Sequence, residues 1–170
     1  RERGLWHALL AGTIAALPMA ALPLAFFHGT AFRQLVTNRP VVLVVLRGRP
    51  GYQCPICTRQ VHDFVTHADE FAAQNAQVLM VYPGPAENLK ARAQEFLQNK
   101  QWPKDFLFVI DLDYKFTTGY GLRWDAKNET ACPSTFSIDT KGKVRFAHVS
   151  KSHGDRVGAT AALDALQTLK

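Results

Sequence analysis

The 170 residues are 47% hydrophobic and 20% charged, long enough for one domain with a real core. A formal charge of +6 points toward an anionic partner, but the Lys and Arg residues are scattered. No cluster interleaves basic and aromatic side chains, so a nucleic-acid surface is excluded. The three cysteines, Cys54, Cys57 and Cys132, are too few for a disulfide-stapled scaffold and leave one thiol odd, which suggests chemistry rather than stapling.

Residues 5–27 contain no charged side chain, and as a helix they would reach roughly 34 Å, enough for a hydrocarbon core of about 30 Å. Arg1 and Arg3 precede the run, and Trp6 fits an interfacial anchor. Three readings compete: an uncleaved membrane anchor over residues 1–28, a cleaved signal peptide using the small residues near Ala20, Ala21 and Ala25, and a buried core helix. The lack of a polar face disfavours the last. Pro18 and Pro23 would kink such a helix and suit packing against other membrane helices. The basic flank favours a cytoplasmic N-terminus with the following domain periplasmic or otherwise extracytoplasmic.

Residues 29–40 read as a polar connector, and residues 41–170 as the folded domain. The unbroken apolar run at 41–46 is predicted as a central strand covered on both faces. A Gly/Pro turn follows, and a helix is predicted over 54–75, its inward face formed by Cys57, Val61, Phe64, Val65, Ala68 and Phe71. A strand at 78–82 closes at Pro83, and a helix over 86–100 turns Leu89, Ala93, Phe96 and Leu97 inward. A strand at 106–110, a short helix at 114–120 and a polar loop from Gly121 come next. Strands at 135–139 and 144–149 form a hairpin. A final helix starts near Arg156, with Asp155 as its N-cap and Val157, Leu163, Leu166 and Leu169 as its stripe. Strands alternating with helices predict a three-layer α/β domain whose site lies at the carboxyl edge of the central strand.

The chemistry concentrates at Cys54-Pro55-Ile56-Cys57. A cysteine opening a helix has unpaired N–H groups and the positive end of the dipole beside it, so its thiolate is stabilised. Cys54 is the expected attacking thiolate, and Cys57 the thiol that resolves the mixed disulfide. Tyr52 on the turn and Gln60 further along the helix are candidates for lining the site. Cys132 has three competing readings: a buried inert thiol, a third redox thiol, or a thiolate metal ligand. In the last case the three sulfurs, with His153 or His148, would hold Cu(I) or Zn.

The cysteine helix start and the later run Ala131-Cys132-Pro133-Ser134-Thr135-Phe136-Ser137-Ile138-Asp139 together resemble the thioredoxin fold. The match is to its peroxiredoxin-like branch, the alkyl hydroperoxide reductase and thiol-specific antioxidant, or redoxin, family. The resemblance covers roughly residues 40–169. It implies a thioredoxin-like three-layer sandwich, a cis Pro133 facing the cysteine pair and shaping a substrate groove, and Cys132 beside that pair. The family's Pro-x-x-x-Thr/Ser-x-x-Cys motif is not kept: Arg47 stands at the proline position and Gly51 at the hydroxyl position. For the arginine that steadies the family's reactive thiolate, Arg123 and Arg145 are the candidates.

The sequence therefore predicts a membrane-anchored thiol–disulfide oxidoreductase. Its electrons would come from a partner protein dithiol, with no cofactor and no metal. The alternative is an accessory subunit of a membrane complex with little or no catalysis.

Overall fold

A computed structural model describes residues 39–168 together with the short strand β1 (Leu22–Pro23). The remaining elements are β2 (Val41–Val45), α1 (Pro55–Thr66), α2 (Ala68–Ala73), β3 (Gln77–Gly84), α3 (Leu89–Leu97), β4 (Phe106–Leu112), α4 (Lys115–Gly119), β5 (Ser134–Ile138), β6 (Val144–Val149) and α5 (Ala159–Gln167). They build one six-stranded sheet in the order β1-β4-β3-β2-β5-β6. Strands β1 to β4 run parallel, β5 pairs antiparallel with β2, and β6 antiparallel with β5.

The β-branched run of β2 puts every residue in the interior, because the sheet is covered on both faces. Its side chains alternate. Val42, Val44 and Leu46 join Val78, Met80 and Tyr82 under α1, α2, α3 and α5, while Val41, Leu43 and Val45 join Leu79, Val81, Phe116 and Leu122 under α4 and the loop after it. On the first face Tyr82, Phe96 and Phe108 meet at centroid distances of 5.2–5.8 Å, tying α3 to the sheet. Asp111, fully buried at the end of β4, holds the start of α4 through the Phe116 and Thr117 amides at 2.8 and 3.0 Å. Burial nevertheless keeps its pKa above the usual carboxylate range.

Several sequence expectations are corrected. The helix predicted over 54–75 breaks at His67, whose φ of −101° and ψ of 17° end α1 and start α2. The helix predicted over 86–100 is shorter at both ends: Asn88 is left-handed before it, and Gln98 turns extended after Leu97. Strand β3 continues through Pro83 to Gly84, because those residues still pair with Asp111 and Leu112. Helix α5 begins at Ala159, not at Arg156. Its first amide is capped by Asp63 of α1, with Ala159 N to Oδ2 at 2.7 Å. Asp155 instead accepts from the Lys151 amide at 2.9 Å and pairs with His148 at 2.9 Å.

Most of the predicted anchor over residues 5–27 lies outside the described residues. Its residues Leu22–Pro23 are extended and pair with Val109 and Ile110 of β4, where the composition predicts helix. No helix among the described residues is long and apolar enough to cross a membrane.

Candidate functional site

The site is the turn between β2 and α1. Leu46 still pairs with β3, its amide 2.9 Å from Val81 O, and Arg49 N reaches Pro83 O at 3.1 Å, so the turn is laid across the end of β3. Gly48, at φ +72°, makes that crossing: a Cβ there would lie 1.9 Å from Pro83 O. Gly51 follows at φ +97°. Gln53 anchors the last step, donating to Arg92 O at 2.9 Å and accepting from the buried Tyr82 hydroxyl at 2.7 Å.

Cys54 is the N-cap of α1, with Pro55 in the first helical turn. Its sulfur accepts the Cys57 amide at 3.3 Å, one of the N–H groups the helix start leaves open. Both cysteines are free thiols, 2% and 0% exposed. The pair is electrically polarised. Hydrogen bonds from Cys57, first through its thiol, bring the Cys54 pKa down to about 5 against the opposing effect of burial, and the Arg156 charge helps. Burial, then the Cys54 thiolate as acceptor and as negative charge, holds Cys57 well above the usual thiol range. At neutral pH, Cys54 is the thiolate and Cys57 the thiol that donates to it.

Arg156, on the connector between β6 and α5, supplies the positive charge. Its terminal nitrogens lie 3.9 and 3.8 Å from Cys57 Sγ, and it also donates to Gln60 Oε1 at 2.7 Å and, through Nε, to His153 O at 2.8 Å. Gln60 is buried, its amide nitrogen 3.1 Å from Val157 O. Along this seam α1 and the connector line a groove with Ile56, Arg59, Asp63 and Gly158 at its sides.

Behind the turn lies a second charged group. Arg47, 4% exposed, donates through Nε to Glu129 at 2.9 Å and through a terminal nitrogen to the other Glu129 oxygen at 3.1 Å. It also donates to Asn128 O at 2.8 Å and to the Tyr52 hydroxyl at 2.5 Å. His153 Nε2 is 3.0 Å from both Glu129 oxygens, and its ring rests 5.2 Å from that of Trp124. Burial works against the Glu129 charge, but the bonds from Arg47 and His153 prevail and hold it below the usual carboxylate range.

The sequence candidates fare unequally. Cys54, Cys57 and Gln60 come together around Arg156. Tyr52 is on the rim of the turn, 49% exposed, tethered by Arg47. Pro133 is buried and accepts the Ser150 amide at 2.8 Å, but no cis peptide occurs among the described residues, so the bond before it is trans. Cys132 is partly exposed, and its sulfur makes no hydrogen bond among the described residues. Burial, with the Glu129 charge, raises its pKa, so it is a neutral thiol. No three His, Cys, Asp or Glu side chains among the described residues are grouped to hold a metal ion, so the three-sulfur arrangement expected for Cu(I) or Zn is not found among them. Neither proposed arginine reaches the cysteines. Arg145 pairs with Asp139 at 2.7 Å, and Arg123 binds loop carbonyls and stacks 4.0 Å from the Tyr114 ring. The arginine that does, Arg156, was hidden in a polar loop.

A thioredoxin-like sheet with a polarised dithiol at a helix start defines a thiol-based redox domain. The chain belongs to the AhpC/TSA family, which matches residues 27–147. Among solved structures it is similar to the peroxidoxin BcpB of Mycobacterium tuberculosis, at 19% identity and a TM-score of 0.61 over 95% of this chain and 99% of that one. It is also similar to reduced Prx3 from Vibrio vulnificus in complex with hydrogen peroxide, at 23% identity and a TM-score of 0.62 over 82% and 85%. Peroxiredoxin 5 from Alvinella pompejana aligns at 14% identity and a TM-score of 0.64 over 88% and 90%. At such identities the likeness is one of fold. Compared with curated proteins, the sequence finds no match.

Proposed function

We propose that this chain is a thiol–disulfide oxidoreductase of peroxiredoxin-like type, working through Cys54 and Cys57. The Cys54 thiolate attacks one sulfur of a substrate disulfide; that S–S bond breaks and one substrate thiolate leaves. Cys57 then loses its proton to solvent and attacks Cys54 Sγ, releasing the second substrate thiolate and leaving a Cys54–Cys57 disulfide. A partner protein dithiol returns the two electrons. The observation that carries this reading is the geometry of the pair: Cys54 caps α1 with its sulfur 3.3 Å from the Cys57 amide, and Arg156 lies 3.8 Å from Cys57 Sγ. This arrangement draws the Cys54 pKa down and, with burial, pushes that of Cys57 up.

Disulfides fit better than peroxides as the oxidant, because Gly51 offers no hydroxyl where the family's motif has one and Arg47 replaces its proline. The test is a comparison of disulfide and hydrogen peroxide turnover by the parent, Cys54→Ser and Cys57→Ser proteins. Disulfide turnover lost in both variants supports the proposal, with a trapped mixed disulfide in Cys57→Ser. Peroxide turnover outpacing disulfide turnover overturns it. The uncharged stretch at 5–21, ahead of the Leu22–Pro23 strand, supports attachment of this domain to a membrane, and Arg1 and Arg3 before it support the extracytoplasmic side. Vesicle flotation of the full chain against one lacking residues 1–28 tests that, and equal flotation would sink it.

A further inference from the structure

Three loops from distant parts of the chain meet behind the turn that leads into the cysteine pair. The turn after β2 carries Arg47 and Tyr52, the loop after α4 carries Asn128 and Glu129, and the connector after β6 carries His153 and Arg156. Arg47 and Glu129 are 82 residues apart, and Glu129 and His153 are 24 apart. All three loops converge on one carboxylate. Glu129 takes two N–H bonds from Arg47 and one shared bond from His153, and its side chain is only 12% exposed. A carboxylate is an acceptor only, so it fixes Nε2 as the protonated nitrogen of His153. The same histidine's backbone oxygen receives Arg156 Nε at 2.8 Å. The path from Glu129 to the sulfurs is therefore short: carboxylate to the His153 ring, His153 carbonyl to Arg156, guanidinium to Cys57 Sγ at 3.8 Å.

We infer that Glu129 is the positioning residue of the dithiol site, its carboxylate docking the His153 connector onto the Arg47 turn so that Arg156 is seated against the cysteine pair. The inference rests on the dithiol reading above and adds a residue that touches neither sulfur. The geometry also explains why a buried Arg–Glu pair is worth keeping beside a redox site. Such a pair contributes little net stability compared with apolar packing, but its two-sided bonds set one arrangement of the three loops. Without Glu129, Arg47 keeps Asn128 O and Tyr52 as partners, whereas the His153 ring has no other hydrogen-bond acceptor among the described residues.

The experiment is a double-mutant cycle read at two places: the Cys54 pKa, from the pH dependence of alkylation, and the exchange rate of the Arg156 Nε proton by NMR. Glu129→Gln keeps the shape and removes the charge; His153→Ala leaves the Arg47–Glu129 pair intact and serves if the first variant folds poorly. Each is expected to raise the Cys54 pKa by about one unit and to speed Arg156 Nε–H exchange. Arg156→Met is expected to raise that pKa at least as far. The combined Glu129→Gln/Arg156→Met protein should match Arg156→Met alone, since residues acting through one another are not additive. Fully additive effects, or unchanged Arg156 exchange in both single variants, would overturn the role of Glu129. An ordinary Cys54 pKa in the parent protein would instead remove the dithiol reading, and Arg156 exchange would still judge Glu129 separately.

Discussion

Arg156 is the only guanidinium hydrogen-bonded to a cysteine among the described residues, at 3.8 and 3.9 Å from Cys57 Sγ, and its charge favours whichever sulfur is ionised. Replacing it with Met should raise the Cys54 pKa and make the disulfide harder to reduce. Stabilising the thiolate favours the reduced form, and each tenfold change in that equilibrium is about 30 mV for a two-electron couple. A potential measured against a glutathione buffer should therefore move more negative by tens of mV; no movement would show that the helix start alone holds the thiolate. Gly51 bears a different prediction. Restoring the family's hydroxyl by Gly51→Thr should not confer peroxide turnover and should destabilise the domain by about 1–2 kcal/mol, because φ +97° is a conformation a β-branched residue resists. Chemical denaturation together with a peroxide assay checks both halves. The residue scale is also where sequence reading has its limit. Cys54 and Cys57 announce themselves by spacing, whereas Arg47, Glu129 and Arg156 are single charged residues in turns and loops, and nothing in their local pattern says that they meet.

Among the elements, α1 and α5 are joined by one side chain. Asp63, on the outer side of α1, accepts the first amide of α5 at 2.7 Å, and Gly158 leaves room for it: a Cβ there would meet Asp63 Oδ2 at 3.3 Å. The same carboxylate is 3.6 Å from His67, where α1 ends. Asp63→Ala should lower stability by about 1 kcal/mol, the usual loss for a helix N-cap. It should also loosen the connector that carries Arg156, while Asp63→Asn, still an acceptor, should lose less. Hydrogen exchange at Ala159 reports the cap directly, and equal protection in Ala and Asn variants would show that it does not matter. The elements themselves were largely legible. The unbroken apolar run of β2 and the three-four spacing of α1 follow from burial on both sheet faces and on one helix face. What escaped were the boundaries: the His67 break, the Asn88 start of α3, and a cap for α5 donated from another helix. Only the α5 cap depends on a partner outside the local window. His67 ends α1 through contacts within one turn and Asn88 starts α3 from a left-handed backbone, and neither feature registers in the spacing of apolar residues. The trans bond at Pro133 escaped for another reason, since the cis expectation came from resemblance alone.

At the scale of the whole molecule, the dithiol couples folding, redox state and pH. In the reduced protein the Cys54 pKa is depressed to about 5, whereas an unfolded thiol titrates near about 8.5. Its contribution to stability is complete above the unfolded value and is lost as pH falls through about 5. Cys57 is raised, so its contribution is complete below about 8.5 and is lost as pH climbs toward its folded value. Between pH 5 and about 8.5 the folded dithiol binds one proton where the unfolded chain binds two. Stability of the reduced form should accordingly rise with pH across that window and fall beyond it, while the oxidised form, with neither thiol to titrate, lacks this component. Denaturant titrations of both redox forms from pH 4 to 10 measure the difference, and the Cys54→Ser protein should lose the rise. The same proton count governs the reduction potential. One proton taken up per two electrons gives a slope of about 30 mV per pH unit inside the window, doubling below pH 5, where Cys54 is protonated as well. A slope of about 60 mV throughout would mean that both thiols stay protonated, and the polarised pair on which the proposed chemistry depends would not exist in solution.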